Sequence, residues 1–127
     1  MSRQAIAPDN VFKARGYSHA FKVGNTIYVA GQAPFDQDMR LVGKGDVVAQ
    51  AELSFENLKR VLEAAGATMA DIVMLTYYFK DIDDLAKTGD VLREHFQRPY
   101  PPATALGVSR LVDPDQLIEV DAIAVVE

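Results

Sequence analysis

Leu117-Ile118-Glu119-Val120-Asp121-Ala122-Ile123-Ala124-Val125 alternates strictly: Ile118, Val120, Ala122 and Ala124 point one way, and Glu119, Asp121, Ile123 and Val125 the other. Such a period of two marks a strand. Both of its faces carry apolar residues. The run Ile72-Val73-Met74-Leu75-Thr76-Tyr77-Tyr78-Phe79 is likewise apolar on both sides and rich in branched and aromatic residues, so it reads as a central strand.

Working outward, Ala20–Val23 and Thr26–Ala30 flank Gly24-Asn25, a pair that tolerates the positive φ of a tight hairpin turn. Asp46 is placed to cap a helix over roughly residues 47–65, with Ala51, Phe55, Leu58, Leu62 and Ala65 as its apolar stripe and Gly66 at its end. Thr68-Met69-Ala70-Asp71 has the form of a capping box around one tight turn. Asp83-Asp84 opens a second helix whose apolar positions include Leu85, Leu92 and Phe96, and Pro99-Tyr100-Pro101-Pro102 ends it. A further strand fits Thr104 to Ser109. The order β-β-α-β-α-β-β predicts an α+β fold, with two helices on one face of a mixed sheet. Two helices leave the other face bare, which predicts burial against another subunit.

The chain of 127 residues reads as one domain, 1–127, with a core and no need of staples. It has no cysteine, which excludes disulfides, thiolate metal sites and cysteine nucleophiles. Its net charge of -5 weighs against nucleic-acid binding. The first ten residues have no apolar core of signal-peptide length, and no apolar run approaches the roughly 20 residues of a membrane helix. The expectation is a cytoplasmic protein with no membrane partner.

Gly16-Tyr17-Ser18-His19-Ala20, Val29-Ala30-Gly31-Gln32, Gln50-Ala51 with Asn57-Leu58, Ala64-Ala65-Gly66-Ala67, Phe79-Lys80-Asp81 and the final strand together resemble the RidA (YjgF) family of reactive-intermediate deaminases. The resemblance runs through nearly the whole chain. It implies a chorismate-mutase-like fold, a homotrimer whose sheets form an inner barrel, and a ligand cleft between each pair of subunits. It implies a small-molecule substrate, hydrolysis of 2-imino or 2-enamino acids to 2-oxo acids and ammonia, and neither metal nor cofactor. In members with the full motif, an Arg after a Pro-Ala pair meets the substrate carboxylate, a task suited to a planar bidentate guanidinium. Here Pro102-Ala103 is followed by Thr104. That departure sets this chain apart from the usual imino-acid site.

By the same resemblance Glu119 activates the attacking water, Tyr17 offers its hydroxyl at the cleft mouth and Gly31 turns a backbone N–H to the ligand. Read from the residues alone, Glu119 is a solvated or interface carboxylate, Tyr17 a packing aromatic and Gly31 a strand-end glycine. Thr104 can donate one neutral hydrogen bond or simply fill a strand. Asp121, two residues from Glu119, shares its face; a second carboxylate there can raise one pKa, although pairing at a subunit interface is the commoner use. Arg15 can swing toward the cleft in place of the missing Arg, whereas Arg110 shares strand parity with Thr104 but lies roughly 20 Å along. His19 is read as packed or hydrogen-bonded and His95 as a surface residue.

The leading expectation is a hydrolytic deaminase or tautomerase for a small imine or enamine, with catalytic Glu119 and Tyr17 and substrate-binding Gly31, Thr104 and Arg15. The alternatives are a non-catalytic trimer that binds a small metabolite and, behind it, the endoribonuclease of the family's older label, which the acidic charge opposes.

Overall fold

A computed structural model describes residues 2–127. Its six strands are β1 (Arg3–Ile6), β2 (Ala20–Val23), β3 (Thr26–Gln32), β4 (Ile72–Phe79), β5 (Ala103–Gly107) and β6 (Ile118–Val125). They form one mixed sheet in the order β1-β2-β3-β6-β4-β5. Only β4 and β5 run parallel, and the crossover between them carries the second helix. The sequence pattern did not announce β1, because only Ile6 of its four residues is buried and no alternation shows.

Helix α1 (Val47–Ala64) begins where expected: Asp46 accepts a hydrogen bond from the Ala49 N–H at 3.1 Å. It ends at Gly66, whose φ of 82° places it in the left-handed region. The N–H groups of Gly66 and Ala67 then reach back to the carbonyls of Glu63 and Leu62, the paired bonds of a Schellman motif. After it, the Asp71 carboxylate accepts from the Thr68 N–H at 2.8 Å and closes the tight turn.

The second helix differs from expectation. Ile82–Thr88 winds as a 3-10 helix, capped by Asp81, and only Gly89–His95 is α-helical, here α2. Three residues per turn instead of 3.6 rotate the stripe, so Leu85 faces solvent while Asp84, Thr88, Val91 and Phe96 are buried. The fifth strand is also shorter than read, stopping at Gly107.

α1 lies across one face of the sheet. Phe55, Leu58, Val61 and Leu62 meet Ile27, Leu75, Phe79, Ile118, Val120 and Ala124, all removed from solvent. At roughly 1.5–3 kcal/mol for each fully buried large side chain, this layer dominates the stability of the chain. The opposite face is bare in the single chain: Phe21, Tyr28, Met74, Leu106 and Val125 are all exposed there. No helix among the described residues is long and apolar enough to cross a membrane.

Candidate active site

The site grows out of one irregularity. β3 pairs with β6 in regular antiparallel register from Thr26 to Val29 and resumes only at Gln32 opposite Val120. A bulge of this kind bends the strand and re-aims what lies in it. It lays the backbone of Gly31 against the side chain of Glu119. A Cβ at position 31 would stand 2.5 Å from Glu119 Oε2, so any side chain there would push the carboxylate aside. The glycine serves close approach, since its φ is not in the left-handed region.

Glu119 and Gly31 line a cavity of about 420 Å³ together with Arg15 and Tyr17, and with Phe12, Phe35, Met39 and Val112 as an apolar wall. Four of the five residues expected at the site therefore meet in one cavity. The fifth does not: Thr104 on β5 pairs with Thr76 on β4, which pairs with Asp121 on β6. It lies on the bare face, but two strand spacings, roughly 10 Å, from Asp121. Within one chain it belongs to a different part of that face.

The wall of the cavity is held by buried polar groups. His19 is fully enclosed; its Nε2 lies 2.6 Å from the Phe12 carbonyl and its Nδ1 3.1 Å from Gln32 Nε2. A carbonyl can only accept, so Nε2 carries the proton and Nδ1 accepts from the Gln32 amide. This neutral imidazole ties the Phe12 segment to β3. Asn57 on α1 donates to the carbonyls of Ala33 and Phe35, each at 3.1 Å, and pins the other wall. Gln50 on α1 likewise donates to the carbonyls of Gly43 and Asp115, so both residues brace α1 against the loops around the site.

Burial raises the Glu119 carboxyl above its ordinary value of 4.5; a hydrogen bond from Gln116 opposes that rise and the Asp121 charge adds to it. A carboxylate held this way is a better base than a solvated one. The Tyr17 hydroxyl is raised by burial and by the Glu119 charge, so it stays protonated and can donate. Asp121 shares the strand face of Glu119 as expected, and accepts from the Tyr78 hydroxyl at 2.7 Å. That bond, burial and the two carboxylates push Tyr78 up to about 12.

Two expectations about cations and histidines change. Arg110 lies beyond the end of β5 and binds the carbonyls of Leu111 and Val112, so strand parity with Thr104 does not apply. His95 is half-buried and stacked on Phe55 with ring centres 5.3 Å apart, because α2 packs back on α1; burial lowers its pKa. Sequence reasoning missed Lys13, which lines the cavity, and Gln116, which is completely buried beside Glu119. Neither lies in a periodic pattern that could have marked it. A second, larger hollow of about 620 Å³ adjoins Tyr17 on the bare face, bounded by Phe21, Tyr28, Asp121 and Ile123.

Residues 8–126 match the family model described as endoribonuclease L-PSP. The chain is 44% identical to a RutC family protein of Pyrococcus abyssi over 98% of both chains. It is 34% identical to a 2-iminobutanoate/2-iminopropanoate deaminase of Dermatophagoides farinae, over 87% of this chain and 86% of that one. Among solved structures, RidA from an Antarctic Psychrobacter superposes with a TM-score of 0.89 at 36% identity, covering 97% of this chain and 99% of the other. The structure of Escherichia coli TdcF with bound serine does so at 0.88 and 32%, covering 98% and 99%.

Proposed function

The chain belongs to the endoribonuclease L-PSP family, also called YjgF/RidA, and from that premise we propose that it is a cytoplasmic hydrolase of small imines or enamines that works as a homotrimer. The observation that carries this reading is the Glu119 carboxylate, raised by burial and seated over Gly31 in a cavity shared with the Tyr17 hydroxyl. Relatives named as imine deaminases support the reaction class. In the reaction, Glu119 takes a proton from water as the water oxygen bonds to the C=N carbon, and hands that proton to the nitrogen. The tetrahedral carbinolamine then collapses: Glu119 takes the hydroxyl proton as C=O forms and passes it to the nitrogen as the C–N bond breaks, so ammonia leaves and the carboxylate is restored. Tyr17 donates to the substrate from the cavity mouth. Trimerisation covers the bare sheet face and brings Thr104 of one copy toward the cavity of another.

Thr104 directs the choice of substrate. A neutral hydroxyl cannot form the bidentate pair by which a guanidinium holds a carboxylate, so the natural substrate is not anchored through a carboxylate at that position. The same substitution favours a second reading, a trimer that binds a metabolite without turning it over.

Ammonia release from 2-aminoacrylate generated in situ tests both. Thr104→Arg is expected to raise turnover of this carboxylate-bearing substrate by about tenfold or more. Glu119→Ala removes turnover in either background; release no faster than the uncatalysed reaction from both the wild type and Thr104→Arg would sink the hydrolase reading in favour of binding alone.

A further inference from the structure

Gln116 lies just before β6, in a segment fixed from both sides. Its own N–H donates to the Asp113 carbonyl at 3.0 Å. The next N–H, of Leu117, donates to Gln50 Oε1 at 2.7 Å, while Gln50 Nε2 reaches the carbonyls of Gly43 and Asp115 at 3.0 Å each. The start of α1 therefore clamps this loop. The Gln116 side chain is completely buried. Its Nε2 lies 3.1 Å from the Ile118 carbonyl and 3.4 Å from Glu119 Oε1, and its Oε1 is 3.5 Å from the Asp113 N–H. Both amide hydrogens are thus committed, one to backbone and one to the carboxylate. Glu119 Oε2 is the oxygen left facing Gly31.

We propose that Gln116 is a positioning residue for Glu119: its buried amide engages Oε1 and so presents Oε2 to the cavity over Gly31. This rests on Glu119 being the reactive carboxylate. The amide also limits how far burial raises the pKa of that group. A donor to the charged form favours it, and here opposes burial and the Asp121 charge, which both favour the protonated form. The other groups facing Glu119 are Tyr17, Tyr78 across on β4, and the cations of Lys13 and Arg15 that line the cavity. None of these is bonded to Oε1, so the amide acts on it alone.

The experiment follows the carboxyl carbon of Glu119 through a pH titration of the full chain by NMR, its resonance assigned by its loss in Glu119→Gln. Gln116→Met keeps the length of the side chain and removes both donors. The titration midpoint of Glu119 is expected to move upward by about half a pH unit or more. An unmoved or lowered midpoint would overturn the proposal. A second reading needs no substitution: in the wild-type protein the Gln116 side-chain amide resonance is expected to titrate with the Glu119 midpoint, and an amide that ignores that midpoint overturns the proposal as well. Turnover in Glu119→Gln judges the hydrolase reading separately, so either idea can fail alone.

Discussion

Ile118 and Glu119 are neighbours on β6 yet belong to different worlds. Along that strand Ile118, Val120, Ala122 and Ala124 are sealed under α1, while Glu119, Asp121, Ile123 and Val125 look out from the bare face. The covered face is complete within one chain: it is apolar, close-packed and silent chemically. The bare face holds the cavity carboxylate, the Tyr78–Asp121 bond and the exposed aromatics Phe21 and Tyr28. Stability thus comes from one side of these strands, and the proposed chemistry sits on the other. One set of alternate residues builds the molecule and the other equips it.

The largest effect expected from this division lies on the covered side. Phe55 is fully buried and meets the rings of Tyr77, His95 and Phe96. Phe55→Ala should cost about 3–5 kcal/mol, read as a lowered midpoint of denaturant unfolding. Truncating the bare-face Tyr28, by contrast, should cost the single chain less than about 1 kcal/mol and instead lower the mass measured in solution by light scattering. Equal losses at the two sites would erase the distinction between the faces.

Next in size is Gly31→Ala. The added methyl collides with Glu119 Oε2, so the carboxylate must turn away. Turnover should fall by about 100-fold, as misplacement of a reacting group by an ångström does, while the melting temperature changes far less than in Phe55→Ala. A variant with near-normal turnover would show that the seat over Gly31 is dispensable.

Smaller effects probe the polar bonds of the bare face. Tyr78→Phe removes the donor to Asp121 and should cost roughly 1.5–3 kcal/mol, the usual worth of a bond to a charged group. In ultraviolet titration of the wild type, one tyrosine should ionise only near pH 12 and that step should vanish in the variant.

Smallest is the effect of Glu119 on stability. Because folding raises its pKa, the folded chain binds that proton more tightly than the unfolded one; this contribution is full at acid pH and lost as pH rises through the raised value. Glu119→Gln should therefore gain melting temperature relative to wild type on going from pH 4 to pH 7. A relative loss over that interval would reverse the assigned sign.

The same division explains what could be read from the sequence. Alternation in β6 and β4, the stripe of α1 and the Gly66 stop are local patterns, and each led to the right element. Glu119 and Asp121 were placed on one face by parity alone. β1 escaped because an edge strand with one buried residue has no alternation to show. The 3-10 winding of Ile82–Thr88 escaped because a stripe drawn at 3.6 residues per turn misplaces Leu85. The distance between Thr104 and the cavity depends on strand order, with β4 lying between β5 and β6, and strand order is not a local property. Gln116 is buried by the path of a loop clamped from α1, a long-range contact with no signature in its neighbours.

In the function proposed above, the bare face works through a carboxylate whose pKa its surroundings have raised. It is tested most directly by kcat for hydrolysis of 2-aminoacrylate by the Thr104→Arg protein, with and without Glu119→Gln, from pH 4 to pH 8 and corrected for the uncatalysed reaction. The rate is predicted to fall as pH drops through a midpoint above the ordinary carboxylate value of 4.5, with that limb absent in Glu119→Gln. A catalysed rate that stays flat down to pH 4, or keeps the same acid limb without the Glu119 carboxylate, would contradict the account.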